Sequence, residues 1–178
     1  SDKEYWNMIS ERTYYNRNLW LGINQGIYGM SGSVERPTED CFGEWIPEKM
    51  QELSFFRSQL HQDFWSVDMD MAAVAAYDAV DLMFLNDRYC HFRSTIYDVK
   101  TYCQEDDSCA MGEVMENLQK NAFSVITQLS TAASVFKQQE WVDMDKEARG
   151  YALNQLGHSI SSLVADLIGF NASKVHRE

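Results

Sequence analysis

The chain has 178 residues, 45% of them hydrophobic and 13% aromatic, with a formal net charge of −12. That length suits one domain that buries its own core, and the apolar content excludes a disordered chain. The acidic balance excludes nucleic-acid phosphates and anionic membrane surfaces as partners, because both would be repelled, while calcium or a basic partner would not be.

Two prolines and nine glycines leave room for long regular elements, so helices are the natural expectation. From Tyr5 onward, Met8, Ile9, Tyr15, Leu19, Ile23 and Ile27 keep the spacing of one helix face and predict a first helix over 4–30. Gly22 and Gly26, four apart, share a face of it. Each costs helix stability but lets a second backbone come close, and tight packing in a core is the expected use. The turn-rich stretch from Ser31 to Asp40 predicts a surface loop. Pro47 suits the first turn of a second helix over 47–64, where early N–H groups lack partners anyway.

From Asp68 to Cys103 there is neither Pro nor Gly, which predicts one long helix over 69–103, capped by Asp68 or Asp70. A polar turn, Gln104-Glu105-Asp106-Asp107-Ser108, leads to a fourth helix over 110–138 with Leu118, Ala122, Val125, Leu129 and Ala132 in a near-heptad seam. A fifth helix is expected over 144–170. The result is an all-α, single-domain bundle of about five long helices. Trp65-Ser-Val-Asp68-Met-Asp70 and Trp141-Val-Asp143-Met-Asp145 echo one another at two helix starts, which shared capping chemistry explains. No window reaches the ~20 apolar residues of a membrane span, since Asp78 and Asp81 interrupt the most apolar one. Membrane insertion is therefore not expected.

Four cysteines allow three pairings. On a continuous helix Cys90 and Cys103 would lie roughly 20 Å apart, too far for a disulfide, whose Cα atoms come within about 7 Å. Cys109 follows the turn and should sit near Cys103, well away from Cys90. The pairs Cys41/Cys90 and Cys103/Cys109 remain. A metal site is the weaker reading, because there is no CxxC and the spacing of 13 and then 6 residues from Cys90 through Cys103 to Cys109 matches no common zinc pattern. An even cysteine count, the sequon Asn171-Ala172-Ser173 beyond a predicted helix end, and a first residue, Ser1, consistent with removal of a signal segment together point to a secreted, glycosylated protein.

Chemical signatures are scarce. Asp78 and Asp81, three apart, would be an acid and base if they faced a cleft, but contacts with solvent or with Arg88, Arg93 or a tyrosine are the preferred reading. Asp87 and His91 share a helix face as an ion pair or half a metal clip. None of His61, His91, His158 and His176 has a Glu three residues before it, so a di-iron bundle is excluded. The acidic turn and the two Asp-Met-Asp starts attract calcium only weakly without an EF-hand loop. The chain thus reads as not an enzyme and as needing no cofactor. Tyr5, Trp6, Tyr14, Tyr15, Trp20 and Tyr28 are too many aromatics for one stripe of the first helix, so some are expected at contacts with another subunit.

Trp20-Leu-Gly-Ile-Asn-Gln-Gly-Ile-Tyr-Gly29, Cys90-His-Phe-Arg-Ser-Thr95 and Ala132-Ala-Ser-Val-Phe-Lys137 together resemble uncharacterised cysteine-containing secreted helical proteins of ciliated protists. The resemblance implies secretion and carries no functional residues. The expectation is a secreted, disulfide-stabilised structural subunit that forms a homo-oligomer or filament. The alternative is a module holding an apolar molecule or lipid between helices, lined by Met50, Met83, Met111, Met115 and phenylalanines.

Overall fold

The structure is a computed structural model that describes residues 2–29, 37–62, 65, 68–105, 107, 109–136 and 139–175. The expected end of the first helix at Met30, the start of the loop at Ser31, Phe64 at the end of the second helix and Asp106 of the acidic turn lie outside these. Among the described residues the chain forms seven α-helices and no strand: α1 Asp2–Tyr28, α2 Trp45–Gln62, α3 Met69–Cys90, α4 Phe92–Glu105, α5 Met111–Lys120, α6 Ala122–Phe136 and α7 Lys146–Ile168. No described helix is long and apolar enough to cross a membrane.

The all-α class is as expected, but five helices become seven because two of the long ones break. The run 69–103 is interrupted at His91, which adopts a left-handed conformation (φ 57°) while its N–H donates to the Asp87 carbonyl. An αL residue ends a helix by satisfying a free carbonyl, and here a histidine does what glycine usually does. The run 110–138 is interrupted at Asn121, whose N–H donates to the Asn117 carbonyl.

Capping follows the sequence more closely. Asp68 Oδ1 accepts from the Met71 N–H at 2.7 Å, and Asp145 Oδ1 accepts from the Ala148 N–H at 2.8 Å. The cap is the first aspartate of one Asp-Met-Asp and the second of the other, so the two echoes sit in different registers. Capping chemistry, and not duplication, accounts for them.

The chain gathers into two compact units, one of residues 1–14 and 37–91, the other of 15–36 and 92–178. The first unit is built on the α2–α3 pair. Cys41 and Cys90, both fully buried, form a disulfide with Cα atoms 4.6 Å apart. Around it the Thr38 N–H donates to the Tyr89 carbonyl at 2.9 Å, and the Phe42 N–H donates to Asn86 Oδ1 at 2.9 Å. The Trp45 indole closes the turn onto the Asp40 carbonyl.

In the second unit α1 and α7 meet backbone to backbone. A methyl group at Gly22 would fall on the Asn154 carbonyl, one at Gly157 on the Leu19 carbonyl, and one at Gly26 on Ser161 Oγ. That is the core use expected of the α1 glycines, and Gly157 supplies its counterpart on α7. Leu19, Ala132, Trp141 and Leu153 pack around buried Ala152 and Leu156. Along the other side of α1, three rungs join α4 at matching intervals: Trp20 edge-on to Phe92 at 4.5 Å, Asn24 donating to Thr95 at 3.3 Å, and the Tyr28 hydroxyl donating to Asp98 at 2.5 Å. Steps of four on α1 and three on α4 in the same sense mean the two helices run parallel. The second disulfide, Cys103–Cys109, closes the turn between α4 and α5 with Cα atoms 5.0 Å apart.

Candidate functional site

The most concentrated polar chemistry in the first unit lies between α2 and α3. Asp78 is 1% exposed, the largest fully buried side chain among the described residues. Burial alone would raise a carboxyl pKa. Here Lys49, from α2, places its ammonium 2.7 Å from Asp78 Oδ1 and 3.5 Å from Asp81 Oδ2. For Asp78 desolvation pulls upward, yet the Lys49 hydrogen bond, a hydrogen bond from Glu52 and the Lys49 charge outweigh it and hold the group below the usual aspartate range. Lys49 is pushed above its ordinary value, chiefly by the Asp78 hydrogen bond, against the opposing effect of desolvation. The same ammonium stands 5.4 Å from the Tyr77 ring centroid, within cation–π range.

Asp78 Oδ2 accepts no hydrogen bond while its neighbours are ionised. Glu52 stands one helical turn beyond Lys49 on α2. Its pKa is raised, first by the hydrogen bond its protonated form gives Asp78, then by the Asp78 charge and by desolvation. The cluster thus sets two α3 carboxylates, Asp78 and Asp81, on one α2 lysine. Lys49 occupies the place a cation would take, and among the described residues no three acidic, histidine or cysteine side chains converge as a metal site.

Beside the cluster runs an open cleft of about 780 Å³ lined by Glu48, Gln51, Glu52, Phe55, Phe56, Met71, Val74 and Ala75. Its floor is apolar and its rim acidic. The methionines expected to line a pocket lie elsewhere: Met83 is 71% exposed on α3, and Met111 and Met115 are exposed in the second unit. Met50 is half-buried on α2 and does not line the cleft, and among the described methionines Met71, not singled out from the sequence, does.

The aromatics of α1 divide. Tyr28 is buried, its hydroxyl on Asp98 and its ring edge-on to Phe170, so it faces its own core and no other subunit. Trp20 stacks on Phe92 and Tyr15 stands 6.5 Å from Trp141. Trp6 and Tyr14 are half-buried, and Tyr5 is exposed with its ring against Trp6. More strongly exposed apolar surface lies on other helices. On α3 it includes Met69, Val74, Tyr77, Val80, Met83 and Phe84, and on α6 Phe123, Ile126 and Leu129.

Of the other sequence candidates, Asp87 is joined to His91 through its carbonyl and the His91 N–H. Asn171 is exposed beyond α7, and its Oδ1 accepts from the Ser173 N–H at 3.0 Å and the Ser173 hydroxyl at 2.6 Å. Sequence reasoning singled out Asp78 and Asp81 but missed Lys49 and Glu52. The available signal was their three-residue spacing on α2, which puts both on one flank. Compared with protein families, with curated proteins and with solved structures, the chain matches none.

Proposed function

We propose that this protein is a secreted, non-catalytic assembly subunit that repeats its own contacts in a coat, matrix or filament. The observation that carries this reading is large apolar side chains left outside on both units. Phe123 is 88% exposed and Ile126 and Leu129 follow it on α6, in the second unit, while α3 carries its own stripe in the first. Water-soluble monomers rarely leave contiguous apolar stripes of this kind uncovered. Two such faces on one molecule favour an extended array over a closed pair.

Two disulfides and an exposed Asn171 sequon suit an oxidising, extracellular setting, as does the resemblance to secreted protist proteins. The decisive measurement is imaging of native particles together with light scattering across concentration. Ordered multimers are the expected result, and a monomer at every concentration would sink the proposal.

A second reading draws on the α2–α3 cleft. Phe55, Phe56, Met71 and Val74 under an acidic rim suit an apolar molecule with a cationic or hydrogen-bond-donating end. Native mass spectrometry of the purified protein would show such a molecule as added mass that disappears on denaturation. A clean apo mass from the natural source would argue against it.

A further inference from the structure

We infer that α3 is a self-complementary interface, pairing antiparallel with α3 of a second copy; this rests on the assembly reading and specifies its contact. At ~100° per residue, Met69, Ala73, Ala76, Tyr77, Val80, Met83 and Phe84 fall on one side of α3, opposite buried Asp78. All seven are exposed. The five large side chains are 49–83% exposed, which at roughly 200 Å² each amounts to on the order of 600 Å². Such a stripe exceeds a scattered surface residue and approaches the ~800 Å² a side of a standard protein interface.

The occupant follows from how the stripe matches itself. Asp70 and Arg88 both flank it on the same side, about five turns apart, and neither has an ion-pair partner among the described residues. Turn a second α3 end over end about a two-fold axis near residue 79. Asp70 of each copy then meets Arg88 of the other, on the same edge of the contact. In that register Phe84 lies across from Ala73, Met83 from Ala76 and Val80 from Tyr77, so large side chains face small ones along the stripe. Charge and volume thus agree on one alignment, as an isologous interface requires. A parallel pairing would put the two Asp70 at one level and the two Arg88 at another, on opposite edges of the contact, so neither charge would meet its opposite.

Charge reversal tests the register without touching the core. Asp70→Arg alone and Arg88→Asp alone should each weaken association about tenfold, because each creates two like-charge contacts. An equimolar mixture should recover native association, since both contacts between the two variants are again opposite in sign. Both variants weaken the match to the helix dipole and the mixture keeps that defect, so recovery cannot come from helix stability. Val80→Cys, near the axis, should form an oxidative cross-link between copies, whereas Tyr97→Cys on α4 should not. If the native chain associates but neither reversal weakens it and Val80→Cys stays uncross-linked, the α3 contact is wrong and the assembly reading stands. Weakening without recovery on mixing overturns the antiparallel register. A native chain that stays monomeric overturns both.

Discussion

In the second unit α1 and α7 close to backbone contact through Gly22, Gly26 and Gly157, and each position is occupied by the opposing helix. In the first unit α3 does the reverse: it turns a carboxylate inward to Lys49 and six large apolar residues outward. The first arrangement gains from dispersion over short distances and tolerates no added atom. The second spends the interior of a helix on an ion pair whose desolvation offsets much of its attraction. The α1–α7 pair has the packing of a finished core, whereas α3 leaves an apolar face exposed.

That contrast breaks most sharply at the first disulfide. Replacing Cys41 and Cys90 together by Ser removes a cross-link that closes 49 residues and should cost about 4 kcal/mol. Hydrogen exchange would show the loss confined to α2 and α3. Next comes Gly157→Ala, expected to cost about 3 kcal/mol because the methyl group meets the Leu19 carbonyl and backbone cannot yield. A smaller cost, read by denaturant unfolding, would mean that α1 and α7 are not truly locked. Asp78→Ala should cost about 2 kcal/mol, less than a sealed ion pair because Lys49 can reach water.

Met83→Glu should leave stability within about 0.5 kcal/mol while reducing association seen by light scattering. A large loss of stability would mean that α3's outer face is part of the fold itself.

The smallest effect is in the pH profile of the first unit. Because Asp78 is held below its ordinary value, its ionised form stabilises the fold above about pH 4, and this is lost as pH falls through its folded pKa. Because Glu52 is raised, its protonated form stabilises, and this is lost as pH climbs through its folded pKa. The optimum therefore lies between the two. Glu52→Gln removes this titration, so thermal unfolding of the variant should lose the decline on the alkaline side. An unchanged decline would show that Glu52 does not reach Asp78.

Much of the first contrast was visible in the residues. Gly22 and Gly26 announce a close approach by spacing alone, and the cysteine pairs follow from how far helices carry their residues. The elimination of Cys90/Cys103 assumed an unbroken helix, yet it survives the break because α4 still runs from Phe92 almost to its end before Cys103. The break at His91 was not legible, since neither Gly nor Pro marks it. Nor was the polarity of α3. Apolar residues occur on both its sides, so the pattern does not say which faces inward, and Lys49, 29 residues away, decides it. The α1 aromatics were rightly too many for one stripe, but Tyr28 and Trp20 spend their surplus on α4.

The Cys41–Cys90 bond also has a topological consequence. It makes α2, α3 and the chain between them a covalent ring, entered and left at the same point. A protease that cuts once anywhere from Phe42 to Tyr89 opens the ring without releasing a fragment, and the two pieces part only on reduction. A chain nicked there keeps its two pieces joined wherever the disulfide stays oxidised.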